Sequence, residues 1–276
     1  MKSKKVTIVD YGLGNLLSLK RALEFIGADV IISNDHKDIV DSSRIILPGV
    51  GAFPKAMKYI KNLKLDEILV SATRKEKPLL GICLGMQLLL SESEEFSLTK
   101  GLDLISGKVI PIPKNSKDKK KLKIPHVGWN SLILSNNLKN WDKTILKNNK
   151  ISDEVYFVHS FMVSSSDVNH NVADCIYGEQ KITAAIQKEN IFGCQFHPEK
   201  SGKAGIQILK EWQSSTRLNF ITIHSEEWLQ MKLPEWEELT YPKYLNSGVQ
   251  NILTYLDRMD SRCFQKNGWK YDEATG

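Results

Sequence analysis

The amino-acid sequence predicts an α/β protein: a mixed, mainly parallel sheet flanked by helices, with a short C-terminal extension. The first hundred residues alternate short β-branched runs with stretches of helical apolar spacing, the rhythm that builds parallel strands covered by helices on both faces. From residue 107 the rhythm changes to successive strand-like runs joined by loops rich in Asn, Ser, Asp and Gly, which adds mixed or antiparallel strands. At 276 residues, 41% hydrophobic and 25% charged, the chain has the composition of a globular protein with an ample core.

The elements follow in order. VTIVD (6–10) is β-branched and stops at a glycine turn, after which Leu16, Leu19, Leu23 and Ile26 recur at helical spacing until Gly27. DVIIS (29–33) and RIILPG (44–49) read as the next strands, followed by a helix near 54–75, the strand PLLGI (78–82) and a helix from about 84 to 93. GKVIPI, WNSLIL, EVYFVHSFMVS, VADCIYG, ITAAIQ and IFGCQF read as strands, and GKAGIQILKEWQSS (202–215) as a helix that packs back on the sheet. This divides the chain into a domain at 1–216 and an extension at 217–276. The extension carries Trp228, Trp236, Trp269 and a helical pattern at 247–260, and it holds no repeat.

Several functions are excluded at this stage. No apolar run approaches the ~20 residues that span a bilayer. The opening MKSKKVTIVDYGLGN lacks the apolar core of a signal peptide, so a cytoplasmic location without membrane contact is expected. Cys83, Cys175, Cys194 and Cys263 form no C-x-x-C pair and no zinc spacing, which argues against disulfides and a structural metal. Much of the net charge of +6 lies in KNSKDKKKLK (114–123), where six of ten residues are lysine. Without interleaved aromatics this run reads as a solvated loop, and no nucleic-acid partner is expected.

The chemistry centres on GICLGMQ (81–87), where Cys83 stands between Gly81 and Gly85 on a strand-to-helix turn. That is the pattern of a nucleophile elbow, G-x-S-x-G with cysteine for serine. The small flanking residues permit a strained turn, and the helix start behind it favours negative charge on sulfur and on an adjacent oxyanion. The alternative is a small core residue in a turn, the reading given to Cys175 and Cys194 inside apolar strands.

A thiol nucleophile needs a base, and the chain has six histidines. His36, His170 and His224 lie in polar or tail segments. His197, at the end of IFGCQFHPEKSG, has Pro198 to stiffen its exit and Glu199 two residues on to orient an imidazole, so Cys83, His197 and Glu199 form a candidate triad. His159 in YFVHSFM is the rival base, although no acid follows it closely, and His126 in PHVGWN reads as a loop or turn residue. PGVG (48–51) follows a strand and would aim a backbone N–H beside the elbow, which with the Leu84 N–H completes an oxyanion hole; a plain turn is the other reading. YGLGN (11–15) is not a dinucleotide fingerprint, because Leu17 stands where the third glycine is needed.

Taken in order, DYGLGN, LPGVGAF, GICLGMQ, PHVGWN, YFVHSF and QFHPEKSG resemble the class I, triad-type glutamine amidotransferases over about residues 1–215. The resemblance implies a flavodoxin-like fold and hydrolysis of glutamine to glutamate and ammonia, with Cys83 as nucleophile, His197 as base and acid, and Glu199 as the orienting carboxylate. It implies that Gln87 and Glu95 hold glutamine with the backbone around Ser160. Gly49, Val50 and Leu84 match the oxyanion region, whose PGVG peptide reorients before it serves. The branch resembled is the ammonia-supplying subunit of histidine biosynthesis, which implies a heterodimer with a separate barrel-type cyclase and places Asn15, Ser18, Arg21 and Lys200 near that interface. No metal or organic cofactor is implied.

The sequence departs from the family after about residue 216 and at Phe161, where tyrosine is common. Three alternatives follow. A paralogue would feed ammonia to a sugar amidotransferase in surface-polysaccharide synthesis. A cysteine peptidase or γ-glutamyl hydrolase on the same fold would act alone, and a non-catalytic scaffold subunit would keep the fold without the chemistry.

Overall fold

A computed structural model describes residues 5–115 and 121–215. The first half runs β1 (Lys5–Val9), α1 (Leu16–Phe25), β2 (Asp29–Ser33), α2 (His36–Asp41), β3 (Arg44–Leu47), α3 (Phe53–Asn62), α4 (Leu65–Arg74), β4 (Leu79–Ile82) and α5 (Leu84–Leu88). Three short strands follow: β5 (Leu90–Ser93), β6 (Thr99–Lys100) and β7 (Ile105–Pro111). The second half runs β8 (His126–Ser131), β9 (Ile133–Leu134), β10 (Glu154–His159), β11 (Phe161–Ser165), β12 (Asn171–Tyr177), β13 (Gln180–Lys188), β14 (Ile191–Cys194) and α6 (Gly202–Ser214).

Eight strands form the main sheet in the order β2-β1-β3-β4-β14-β13-β12-β9. The pairs from β2 through β14 are parallel and the rest antiparallel, the mixed and mainly parallel arrangement expected from the change of rhythm at residue 107. Alternation along each strand feeds two cores. Val6, Ile8, Ile46, Leu80 and Ile82 face α1 and α6 through Leu19, Leu23, Ile208 and Trp212. Val9, Ile45, Leu47 and Leu79 face α2, α3 and α4 through Ile39, Met57, Ile60 and Leu69. Each fully buried leucine or isoleucine contributes ~1.5–3 kcal/mol relative to exposure. Two smaller sheets are formed by β10-β8 and by β11-β7-β5-β6.

Four expectations from the sequence are corrected. The helix placed at 54–75 is two helices, because Lys64 takes a left-handed conformation at φ 53 and turns the chain between Asn62 and Leu65. The helix placed at 84–93 lasts only through Leu88, after which Leu90–Ser93 pairs with β6 and β7. EVYFVHSFMVS is two strands in different sheets, since β10 pairs with β8 while β11 pairs with β7. His126 is not a loop residue: it opens β8 opposite His159 and is buried. The helical pattern at 247–260, the rest of the extension and half of the lysine run (116–120) lie outside the described residues.

Candidate active site

The site gathers at the carboxyl ends of β3, β4 and β14, where open α/β sheets place their ligands. Cys83 is the N-cap of α5, at φ 54 and ψ −112. A side chain at positive φ is strained, and surrounding structure must hold it there. Here the Cys83 N–H donates to the Cys194 carbonyl at 2.7 Å, tying the elbow to β14. Gly85 is forced by closeness: a Cβ there would lie 1.8 Å from the Leu47 carbonyl oxygen.

His197 reaches the same place from the end of β14. Its N–H donates to the Tyr156 carbonyl at 2.9 Å, and the buried Ser201 hydroxyl donates to the His197 carbonyl at 2.7 Å while accepting from the Tyr156 N–H. The His197 Nδ1 lies 2.9 Å from Glu199 Oε1, and both side chains are at most 5% exposed. Burial disfavours the imidazolium, but the Glu199 carboxylate and the Cys83 sulfur outweigh it and hold the His197 pKa above its ordinary value. Its Nε2 has no hydrogen-bond partner although it is buried. The Cys83 Sγ donates to the Val158 carbonyl at 3.7 Å. Cys83 and His197 therefore lie within electrostatic reach of each other.

The PGVG turn packs directly on the elbow. A Cβ on Gly49 would come within 3.0 Å of the Leu84 Cβ, 3.1 Å of the Gly85 nitrogen and 2.4 Å of the Tyr11 hydroxyl. That hydroxyl donates to the Pro48 carbonyl at 2.7 Å, so the turn is pinned immediately before Gly49 and Val50. Glu95 closes the other side. Its Oε2 accepts from the Phe53 N–H at 2.7 Å and so caps α3, whose N-cap residue Ala52 has no side-chain oxygen to offer. Burial raises the Glu95 pKa to about 7, against the opposing pull of that hydrogen bond.

The model of the glutamine amidotransferase class-I family matches residues 7–213. The chain belongs to this family, in its HisH branch. The branch is given by an imidazole glycerol phosphate synthase subunit HisH 1 of Legionella pneumophila (strain Paris), 47% identical over 207 residues that cover 75% of this chain and 97% of the relative. The HisH subunit of Caldanaerobacter subterraneus subsp. tengcongensis is 45% identical over 75% of this chain and 96% of its own length. Among solved structures, PurLQS from Thermotoga maritima has a TM-score of 0.56 at 20% identity, covering 77% of this chain and 98% of that one, which supports the fold alone.

In this amidotransferase the rival histidine is engaged elsewhere. The His159 Nδ1 faces the Phe161 carbonyl at 2.8 Å, and because a carbonyl only accepts, that nitrogen carries the proton. The His159 Nε2 must then accept from the His126 Nδ1, 3.0 Å away. His126 itself stacks on Phe157 and Tyr177, at 4.9 and 4.0 Å between ring centroids. Burial lowers the pKa of His126 to about 4 and of His159 to about 3, so both stay neutral. Cys175 and Cys194 lie fully buried in strands, and burial pushes both thiols up, Cys175 to about 12.

The amidotransferase brings the remaining expected residues into two groups. Gln87 is buried beside the elbow, with Nε2 donating to the Phe161 carbonyl at 3.1 Å, next to Ser160 at the junction of β10 and β11. Asn15 stands at the N-terminal end of α1 without a side-chain capping bond, and Ser18 and Arg21 follow one turn apart on the helix, while the turn 198–200 bearing Lys200 packs against it. Sequence reasoning did not single out Tyr11, Ser201 or Gln195. Gln195 had one signal: it lies two residues before His197, and alternation along an extended chain puts both on the same side. Among the described residues, no His, Cys, Asp and Glu group is placed to hold a metal ion, and no helix is long and apolar enough to cross a membrane.

Proposed function

We propose that this chain is the glutaminase subunit of an imidazole glycerol phosphate synthase in histidine biosynthesis, with Cys83, His197 and Glu199 as its catalytic triad. One observation carries the assignment of residues: a strained cysteine elbow and a buried His197–Glu199 pair meet at neighbouring strand ends in a chain of the HisH branch.

In this reading the Cys83 thiol gives its proton to His197 Nε2, the buried nitrogen that lacks a partner, and the sulfur attacks the side-chain carbonyl carbon of glutamine. The amide oxygen takes the negative charge against backbone N–H groups of Gly49, Val50 and Leu84. The His197 imidazolium, stabilised by Glu199, then protonates the amide nitrogen, the C–N bond breaks, and ammonia leaves a Cys83 thioester. Water, losing a proton to His197, attacks the thioester. Glutamate departs and the proton returns to the sulfur.

Gln87, Glu95 and the backbone at Ser160 hold glutamine in this scheme, with the Glu95 carboxylate opposite its ammonium group. The ammonia passes to a barrel-type cyclase subunit seated over Asn15, Ser18, Arg21 and Lys200. A separate partner agrees with the relatives, which are themselves named as subunits.

The test is glutamate release from glutamine by the complex with the cyclase subunit of the same genome. Cys83→Ser is expected to lower the rate by at least about a thousandfold while complex formation persists. Stimulation by the ribulose-phosphate cyclase substrate assigns the histidine pathway. Partner-dependent release indifferent to that ligand assigns another ammonia acceptor.

A further inference from the structure

We infer that the side-chain amide of Gln195 is a hydrogen-bond donor to the Cys83 sulfur, oriented by a one-way chain of hydrogen bonds that begins at the Phe161 carbonyl. The inference rests on the glutaminase reading above, in which Cys83 is the nucleophile.

The polarity of the chain follows from its first member. The Phe161 carbonyl can only accept, and it takes hydrogen bonds from His159 Nδ1 at 2.8 Å and Gln87 Nε2 at 3.1 Å. Gln87 therefore presents nitrogen on this side, and the same amino group also reaches Gln195 Oε1 at 3.0 Å. An amide is planar and rigid, so pinning Oε1 turns Nε2 the opposite way. There it lies 3.8 Å from Cys83 Sγ. Flipping Gln195 would set two amino groups against each other at Gln87 and an oxygen lone pair against sulfur. No solvent relieves either clash, because Gln87 is 5% and Gln195 0% exposed.

Strand register explains why Gln195 is the residue in this position. β4 and β14 are parallel with Ile82 opposite Cys194, so one step further Cys83 stands beside Gln195. Its chain neighbours Cys194 and Phe196 are wholly apolar core, and a glutamine buried there is costly unless each polar atom is used. Both ends are used, one by Gln87 and one by the nucleophile.

The contact matters most once the sulfur is charged. The neutral thiol donates to the Val158 carbonyl, an interaction that turns repulsive when the proton leaves. The Gln195 amino group is then a donor already in place. The charged groups acting on Cys83 are the His197 imidazolium and the Lys200 ammonium, with Glu199 acting on both of them. Gln195 adds a short-range dipole that does not depend on protonation.

The experiment compares wild type and Gln195→Met, each in complex with the cyclase subunit. The readouts are the pH dependence of Cys83 alkylation by iodoacetamide, followed by peptide mass, and kcat and KM for glutamine. Losing the donor is expected to move the alkylation midpoint up by about one pH unit and to lower kcat about tenfold, with KM within about twofold. An unmoved midpoint with lowered thermal stability marks a purely structural glutamine and overturns the inference. Gln195→Leu removes the donor at similar side-chain size and offers no other polar hydrogen, so it serves where the methionine variant does not fold. Its midpoint is expected to rise above that of wild type, and a midpoint at or below wild type overturns the inference. Glutamate release by the wild-type complex checks the glutaminase reading separately, so an active wild type with unshifted variants counts against Gln195 alone.

Discussion

At the scale of single residues, the site depends on buried polar groups and on which of them find partners. Glu95 is the group with the most pH-sensitive consequence. Its folded pKa is about 7 against an ordinary 4.5, so between those values the folded state binds the extra proton. Stability contributed by the neutral carboxyl is therefore complete at low pH and lost as pH rises through that window. The loss amounts to about 3 kcal/mol. Glu95→Gln cannot titrate, and urea unfolding across the window is expected to show this part of the slope removed in the variant. A wild type and variant with parallel stability profiles would contradict it. Tyr11 works by geometry instead, since its hydroxyl on the Pro48 carbonyl fixes the residue before the glycine that a Cβ would make impossible.

At the scale of elements, the site is made by strand ends and by the turns that leave them. β4 and β14 bring Cys83 and His197 together, and the 198–200 turn sets Glu199 under the imidazole. The break between α3 and α4 lies away from this machinery and is made by Lys64 at φ 53. Glycine accepts that conformation without the Cβ penalty, so Lys64→Gly is expected to stabilise the protein by about 0.5–1 kcal/mol after its own entropy cost. The urea midpoint should rise with unchanged slope, and glutamine hydrolysis should be unaffected. A lowered midpoint would show that the Lys64 side chain contributes more than its backbone costs.

At the scale of the whole molecule, the family match ends at residue 213, and α6 ends at Ser214. We propose that residues 1–216 are the complete catalytic domain and that 217–276 is an extension outside the chemistry. Removing 217–276 is expected to leave partner-stimulated glutamate release within about twofold of the full chain. A larger loss with an intact fold would assign the extension a part in partner binding or activation.

The sequence by itself determined the alternation of strands and helices, the change to mixed pairing after residue 107, and the candidacy of Cys83, His197 and Glu199. Each of these is written locally, as an apolar period, a glycine-flanked cysteine or an H-x-E spacing. Helix ends were harder, because the break at Lys64 depends on a left-handed backbone that its residue type does not favour, and the stop after Leu88 gives way to pairing of Leu90–Ser93 with β6 and β7. What only the tertiary structure decided is the polar chain around Cys83. Gln195 meets Cys83 across 112 positions, Gln87 meets Gln195 across 108, and Glu95 meets Phe53 across 42. Contacts at such separations leave no periodic trace in the chain. Their polarity is set by which groups the fold buries together, and a buried amide or carboxylate is costly where no partner arrives at hydrogen-bond distance.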